Sequence, residues 1–84
     1  MTISELRAAL HGNGVRESAY CLLSICGSDR YCITHQGPEW AVFYFERGEH
    51  LNERHFKDEG EACSYFLEWI LRDESARRHE PAVH

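Results

Sequence analysis

The alternation of hydrophobic and polar positions predicts four short strands between two amphipathic helices. Thr2 and Glu5 have the spacing of a capping box, and apolar residues then recur at helical intervals up to the Gly12-Asn13-Gly14 stop. Turn residues separate the predicted strands, which span residues 19–23, 30–35, 39–46 and 51–56. The second predicted helix begins after Asp58 and has a broad apolar stripe of Ala62, Cys63, Phe66, Trp69 and Ile70.

The order α-β-β-β-β-α with short connections predicts a two-layer α+β fold. We expect a four-stranded antiparallel sheet with an N-terminal and a C-terminal helix packed on one of its faces. A single domain is expected over residues 1–73, since 84 residues leave little room for a second core. Residues 74–84 lose the helical periodicity and contain Pro81, so they are expected to form a frayed tail.

The predicted strand 39–46 is apolar on both faces. Its side chains alternate between two sets, one of Trp40, Val42 and Tyr44 and the other of Ala41, Phe43 and Phe45. We expect the first set beneath the helices, so the second set requires a layer of its own or a partner. The largely buried residues are predicted to include Trp40, Val42, Phe56, Phe66 and Ile70.

The acidic charge is concentrated in the middle of the chain. Residues 39–61 hold seven acidic and three basic side chains, and so carry −4 of the formal net charge of −5. Such a segment opposes direct binding to nucleic acid, because phosphates would be repelled. It favours a basic partner, although a solvated surface without a partner is an equally good interpretation of the charge by itself.

The four cysteines are interpreted through the expected compartment. The N-terminus lacks the apolar segment of a signal peptide, and the longest apolar run has six residues, so we expect a cytoplasmic protein without a membrane span. In a reducing cytosol the cysteines are expected to be small apolar core side chains, with no disulfide. Their spacing does not match a zinc site, although a metal site or redox pair is the alternative.

No catalytic motif is found, and we expect neither enzymatic activity nor a cofactor. His50 and His55 are five residues apart on or beside the fourth predicted strand, so regular alternation places them on opposite faces. The serines lack a nucleophile elbow, and no glycine-rich loop follows a strand as a phosphate site would require.

Two motifs are the most distinctive, Tyr-x-Glu-Arg-Gly at residues 44–48 and Glu-Ala-Cys-x-Tyr-Phe-Leu at residues 61–67. Together with Glu-Ser-Ala-Tyr at 17–20, Arg-Tyr-Cys-Ile at 30–33 and Trp-x-Val-Phe at 40–43, they resemble a group of small bacterial immunity proteins. Those proteins are encoded beside polymorphic toxins, including contact-dependent growth inhibition toxins. The chain departs from the family pattern at Ala41 and Phe45, which make its open sheet face more apolar.

The resemblance implies inhibition by binding. The expected partner is the C-terminal domain of a cognate toxin, often a basic nuclease, whose active or substrate-binding surface would be covered. Aromatic anchors ringed by charge are typical of protein interfaces. The candidate partner-binding residues are Phe43, Tyr44, Phe45, Glu46, Arg47, Glu49, Glu53 and Glu59. The alternative is a small homodimeric adaptor or regulatory protein that buries Phe43 and Phe45 against a second copy.

Overall fold

A computed structural model describes residues 1–76 and has the predicted order of elements. The α+β fold class is confirmed, with two helices on a four-stranded sheet. Residues 77–84 of the predicted tail lie outside the described residues. The elements are α1 (Ile3–Gly12), β1 (Tyr20–Leu22), β2 (Arg30–Gln36), β3 (Glu39–Glu46), β4 (Glu49–Phe56) and α2 (Glu59–Leu71).

Both helices begin where the sequence provides a cap. The hydroxyl of Thr2 accepts a hydrogen bond from the backbone N–H of Glu5, whose carboxylate accepts in return from the N–H of Thr2 at 2.9 Å. This is the predicted capping box. At α2, the carboxylate of Asp58 accepts from the N–H of Glu61 at 3.0 Å. None of the helices within residues 1–76 is long and apolar enough to cross a membrane.

The sheet has the order β1-β2-β3-β4, but it is mixed rather than fully antiparallel. Strand β1 runs parallel to β2, while the other two pairs are antiparallel, so the prediction of an antiparallel meander is wrong at its first strand. Parallel neighbours usually need a connection of a dozen residues or more. Here β1 has three residues and spans about 10 Å, so the seven residues Leu23–Asp29 suffice to bring the chain back.

We call the segment Leu23–Asp29 the crossover loop. Its first and last residues both have left-handed backbone conformations, with φ of 68° at Leu23 and 62° at Asp29. The changes of chain direction at these two residues allow the chain to leave β1 and to enter β2 in a parallel orientation.

The main core lies between the sheet and the two helices. Trp40 and Val42 of β3 pack there with Phe66 and Ile70 of α2, as predicted. Phe56 is half-buried, so its predicted burial is wrong: it ends the edge strand β4 and packs against Tyr65 at the border of the sheet. Beyond α2, residues Glu74–Ala76 form a short 3-10 helix, and the carbonyl of Ala76 accepts from the N–H of Arg16 at 2.8 Å.

The opposite sheet face has a small core of its own. The second set of β3 side chains lies there as expected, and Phe43 is 0% exposed. The ring of His50 stacks on Phe43 with centroids 3.9 Å apart, and Phe45 packs at the edge. The buried members of this cluster are Cys21, Cys32, Ala41 and Phe43. Side chains of the same chain therefore cover Phe43 on the second face completely and Phe45 in part.

Two of the four cysteines form a disulfide, which contradicts the prediction of none. Cys21 of β1 is bonded to Cys26 of the crossover loop. Cys32 and Cys63 are free and buried, as predicted, and burial raises the pKa of both thiols to about 11. The spacing of Cys21 and Cys26 gave no signal for pairing because it becomes favourable only when the crossover loop folds back over β1.

Candidate functional site

The β3–β4 hairpin ends in a tight turn with an unusual residue in it. Two residues, Arg47 and Gly48, connect the strands, and their φ values of 53° and 80° are those of a type I′ turn. Arginine is costly in this left-handed conformation, whereas glycine and asparagine adopt it readily. The crossover loop supports the turn: the Ser28 hydroxyl accepts from the N–H of Arg47 at 3.0 Å, and the N–H of Asp29 donates to the carbonyl of Phe45 at 2.7 Å.

Two glutamates face each other on either side of this turn. Glu46 and Glu49 are directly paired in the register of β3 and β4. Like charges at such positions destabilise a hairpin. Neither glutamate forms an ion pair with any residue in the range 1–76. The segment Glu46–Glu49, which we call the hairpin tip, therefore projects two uncompensated carboxylates around one strained arginine.

A β-bulge in β4 changes which side chains share the open face. Val42 pairs with Arg54 and Tyr44 with Leu51, so two steps along β3 match three along β4. Asn52 absorbs the extra residue with φ of 57°. As a result, His50 and His55 both pair with open-face residues of β3, Phe45 and Ala41. The prediction that the two histidines lie on opposite faces is wrong, because it assumed an unbroken alternation.

The two histidines are joined by a chain of hydrogen bonds. His50 Nδ1 lies 2.8 Å from Oε1 of Glu53, and Oε2 of Glu53 lies 2.5 Å from Nε2 of His55. His55 Nδ1 then lies 3.0 Å from Oε1 of Glu39. We call these four residues the His–Glu chain. It runs across the exposed surface from the beginning of β4, next to the hairpin tip, to the beginning of β3.

The hydrogen bonds perturb the protonation of the chain in opposite directions. The bonds from His55 and then His50 hold the pKa of Glu53 below its usual value. The bonds to Glu53 and then Glu39 raise the pKa of His55 above 6.5. Protonated histidine and ionised glutamate thus favour each other on this surface.

The His–Glu chain is an extended line of pairs and not a metal centre. Throughout residues 1–76, no group of three or more histidine, cysteine or acidic side chains converges to hold a metal ion. Its side chains are also between 30% and 43% exposed. What the arrangement offers chemically is a polar surface whose donors and acceptors are held in fixed positions.

The structure divides the predicted partner-binding residues among several places. Phe43 is fully buried, so it is not available as an exposed anchor. Tyr44 lies on the helix side of the sheet, edge-on to Tyr31 with centroids 4.9 Å apart, and burial raises its pKa. Glu59 lies on α2, where its carboxylate accepts from the N–H of Ile3 at 2.9 Å and ties the two helices together.

The remaining candidates are found along the hairpin. Glu46, Arg47 and Glu49 form the tip, and Glu53 belongs to the His–Glu chain. Phe45 is half-buried on the open face, edge-on to His50 at 5.7 Å.

Two apolar residues that the sequence analysis did not single out are exposed in the crossover loop. Leu23 is 52% and Ile25 is 46% exposed, and Leu23 also has a left-handed backbone. The same loop contacts the hairpin tip through Ser28, and Asp29 bonds to Phe45 just before the tip. Their signal in the sequence is weak: two branched apolar residues stand in the segment before Gly27 that otherwise has the composition of a turn.

Comparison with known proteins identified no relative of this chain. No protein-family model matches the chain, and no match was found among curated proteins or among solved structures. The features of the chain that bear on its function are therefore the geometry of the hairpin and of the crossover loop.

Proposed function

We propose that this protein is an immunity protein that binds and neutralises a basic toxin domain through the hairpin tip and the adjacent crossover loop. The observation that supports this most directly is the uncompensated pair Glu46 and Glu49 around the strained Arg47. Opposed like charges and a left-handed arginine both cost folding free energy. Strain of this kind is typical of functional sites, where the strained conformation is needed for binding or catalysis.

The proposed surface has the composition of a protein interface. Leu23 and Ile25 supply exposed apolar contacts on the crossover loop, and the hairpin tip, which the same loop contacts through Ser28, supplies charge. Apolar anchors surrounded by a polar rim give affinity, while complementary charge accelerates encounter with a cationic partner. A nuclease, whose substrate-binding surface is basic, is the class of toxin that such a surface would suit. Binding of this kind would take place in the cytoplasm of the cell that makes the protein.

Binding through side chains is favoured over addition of a partner strand at β4. Strand β4 is an edge of the sheet, but the bulge at Asn52 interrupts its regular hydrogen-bonding edge. Bulges and charged residues are the devices by which proteins protect edge strands from pairing. The acidic and histidine side chains of the hairpin are then the groups that a partner meets.

The alternative, a homodimer through Phe43 and Phe45, is less well supported by the structure than by the sequence. It required an apolar face that one chain leaves uncovered, and Phe43 is already buried by its own chain. A mass measurement on the purified protein separates the two proposals: a monomer favours the immunity protein, and a stable dimer favours the adaptor.

Growth rescue tests the proposal. The chain is produced together with the toxin domain encoded next to its gene, and growth is compared for wild type and for the double variant Glu46→Lys/Glu49→Lys. This variant keeps a like-charged pair at the tip, so its stability changes little while the sign of the surface reverses. A matched control, Glu68→Lys/Glu74→Lys, makes the same change in net charge on and after α2.

We expect wild type and the control variant to restore growth and the hairpin-tip variant to fail. Rescue by all three proteins would place the interface elsewhere. Failure of wild type to bind or protect would contradict the immunity function itself.

A further inference from the structure

Beyond partner binding, the surface contains a second feature: an open groove that has the disulfide in its wall. The groove has a volume of about 720 Å³ and lies between α1 and the beginning of the crossover loop. Its wall includes both cysteines of the disulfide, and its ionisable lining residues include Arg7, His11, Glu17 and Arg30. Its volume is within the range of small-molecule sites.

The two sulfur atoms of this disulfide have different surroundings. Cys21 is 3% exposed and belongs to the small core of the open face, whereas Cys26 is exposed. The guanidinium Nη1 of Arg30 lies 3.6 Å from Sγ of Cys26, and the backbone N–H of Cys26 donates to Sγ of Cys21 at 3.2 Å. Cys26 is therefore an exposed residue with a cation beside its sulfur, and Cys21 is a buried residue with a hydrogen-bond donor beside its sulfur.

We propose that this groove is a thiol-exchange site at which an acidic low-molecular-weight thiol of the glutathione class forms a mixed disulfide with Cys26. Two arginines against one glutamate favour a ligand with carboxylates, such as glutathione. In a cytosolic protein, which the proposed function implies, a disulfide is more often transient and redox-sensing than structural.

The exchange proceeds in two balanced steps. The thiolate of the incoming thiol attacks Sγ of Cys26, the bond between Cys26 and Cys21 breaks, and its electron pair leaves on Sγ of Cys21. The N–H of Cys26 stabilises this leaving thiolate through the hydrogen bond already present. A second thiol then attacks the mixed disulfide at the small-molecule sulfur and releases the Cys26 thiolate. Two thiols are oxidised to one disulfide, and the protein disulfide is reduced to two thiols, which take up protons from water.

The test follows adduct formation on the purified, oxidised protein by mass spectrometry with peptide mapping. Glutathione is compared with uncharged 2-mercaptoethanol, at rates corrected for the thiolate fraction of each. Arg30→Gln removes the cation beside Cys26, and Arg72→Gln, which lies at the end of α2 outside the groove, is the matched control. The measurement uses no toxin, so its failure and the failure of the proposed function are distinguishable.

We expect the glutathione adduct on Cys26 and not on Cys21. Arg30→Gln is expected to slow the reaction with glutathione about fivefold, as for loss of one partly exposed charge pair, and to slow the reaction with 2-mercaptoethanol less. The Arg72→Gln variant should react with both thiols at nearly the wild-type rates. A complementary trap uses glutathione disulfide with single variants: Cys21→Ser should be modified at Cys26, and Cys26→Ser should resist modification at Cys21. An adduct on Cys21, no adduct in either experiment, or equal slowing of both thiols by Arg30→Gln would overturn the proposal.

Discussion

At the scale of single residues, Arg47 is the clearest case of a residue type that does not suit its backbone conformation. Its left-handed conformation costs about 1 kcal/mol for an ordinary residue, and asparagine adopts it more easily. We therefore expect Arg47→Asn to raise the free energy of unfolding by up to about 1 kcal/mol, measured by chemical denaturation. Gly48→Ala, at φ of 80°, is the control and should lower it. If Arg47→Asn destabilises the protein, the arginine side chain has a structural role that outweighs the strain.

His55 gives a prediction about pH. Its pKa is raised in the folded protein, so its contribution to stability is fully present below 6.5 and is lost as pH rises through the folded pKa. Glu53 has a lowered pKa, so its contribution is present above about 4.5 and is lost as pH falls through the folded pKa. The pair should therefore contribute most between about pH 4.5 and 6.5.

The measurement is an NMR titration of His55 with denaturation of wild type and His55→Gln at pH 6 and pH 8. We expect a His55 pKa above 6.5, and a stability difference between the two proteins that is larger at pH 6. A His55 pKa at or below 6.5 would show that the His–Glu chain does not persist in solution.

The histidines also show where sequence reasoning failed at this scale. Alternation along a strand predicts faces correctly until a residue is inserted, and Asn52 is that insertion. Asparagine is tolerated in the left-handed conformation, but it is equally common in turns, so its presence at position 52 did not identify a bulge. The grouping of His50 with His55 depends on that one residue.

At the scale of elements, the prediction that β3 packs on both faces is confirmed, because it depended only on the side chains of β3 itself. Aromatic and branched residues on both faces require two layers, and the structure has both, one from the helices and one from the small open-face cluster. The direction of β1 was not predictable in the same way. A three-residue strand has the same composition in either direction, and only the return of the crossover loop determines which is formed.

The open-face cluster predicts a contrast between two phenylalanines of β3. Phe43→Ala should lower the free energy of unfolding by about 3–5 kcal/mol, because it leaves a cavity among buried residues. Phe45→Ala should cost clearly less, since Phe45 is half-buried at the edge of the same cluster. Chemical denaturation of both variants gives the comparison. Equal, small losses would mean that the open face lacks a core and that Phe43 is free to meet a partner.

At the scale of the whole molecule, the proposed interface gathers segments that are distant in sequence. The acidic middle of the chain was identified from composition, and Glu46, Arg47 and Glu49 lie together at the hairpin tip. It was not predictable that the loop carrying Leu23 and Ile25 contacts the hairpin, because the bonds that join Arg47 to Ser28 and Asp29 to Phe45 form only in the folded chain. Glu59 was included from charge alone, and its role in joining the helices required knowledge of how they pack.

The most direct test of the proposed binding surface is the association rate constant with the purified toxin domain at low and high salt. Charge at the hairpin tip should steer the encounter, so Glu46→Lys/Glu49→Lys is predicted to slow association by about tenfold or more at low salt and to flatten its salt dependence. The control Glu68→Lys/Glu74→Lys should stay close to wild type. Equal association rates for the hairpin-tip variant and wild type at low salt would contradict a binding surface at the hairpin tip.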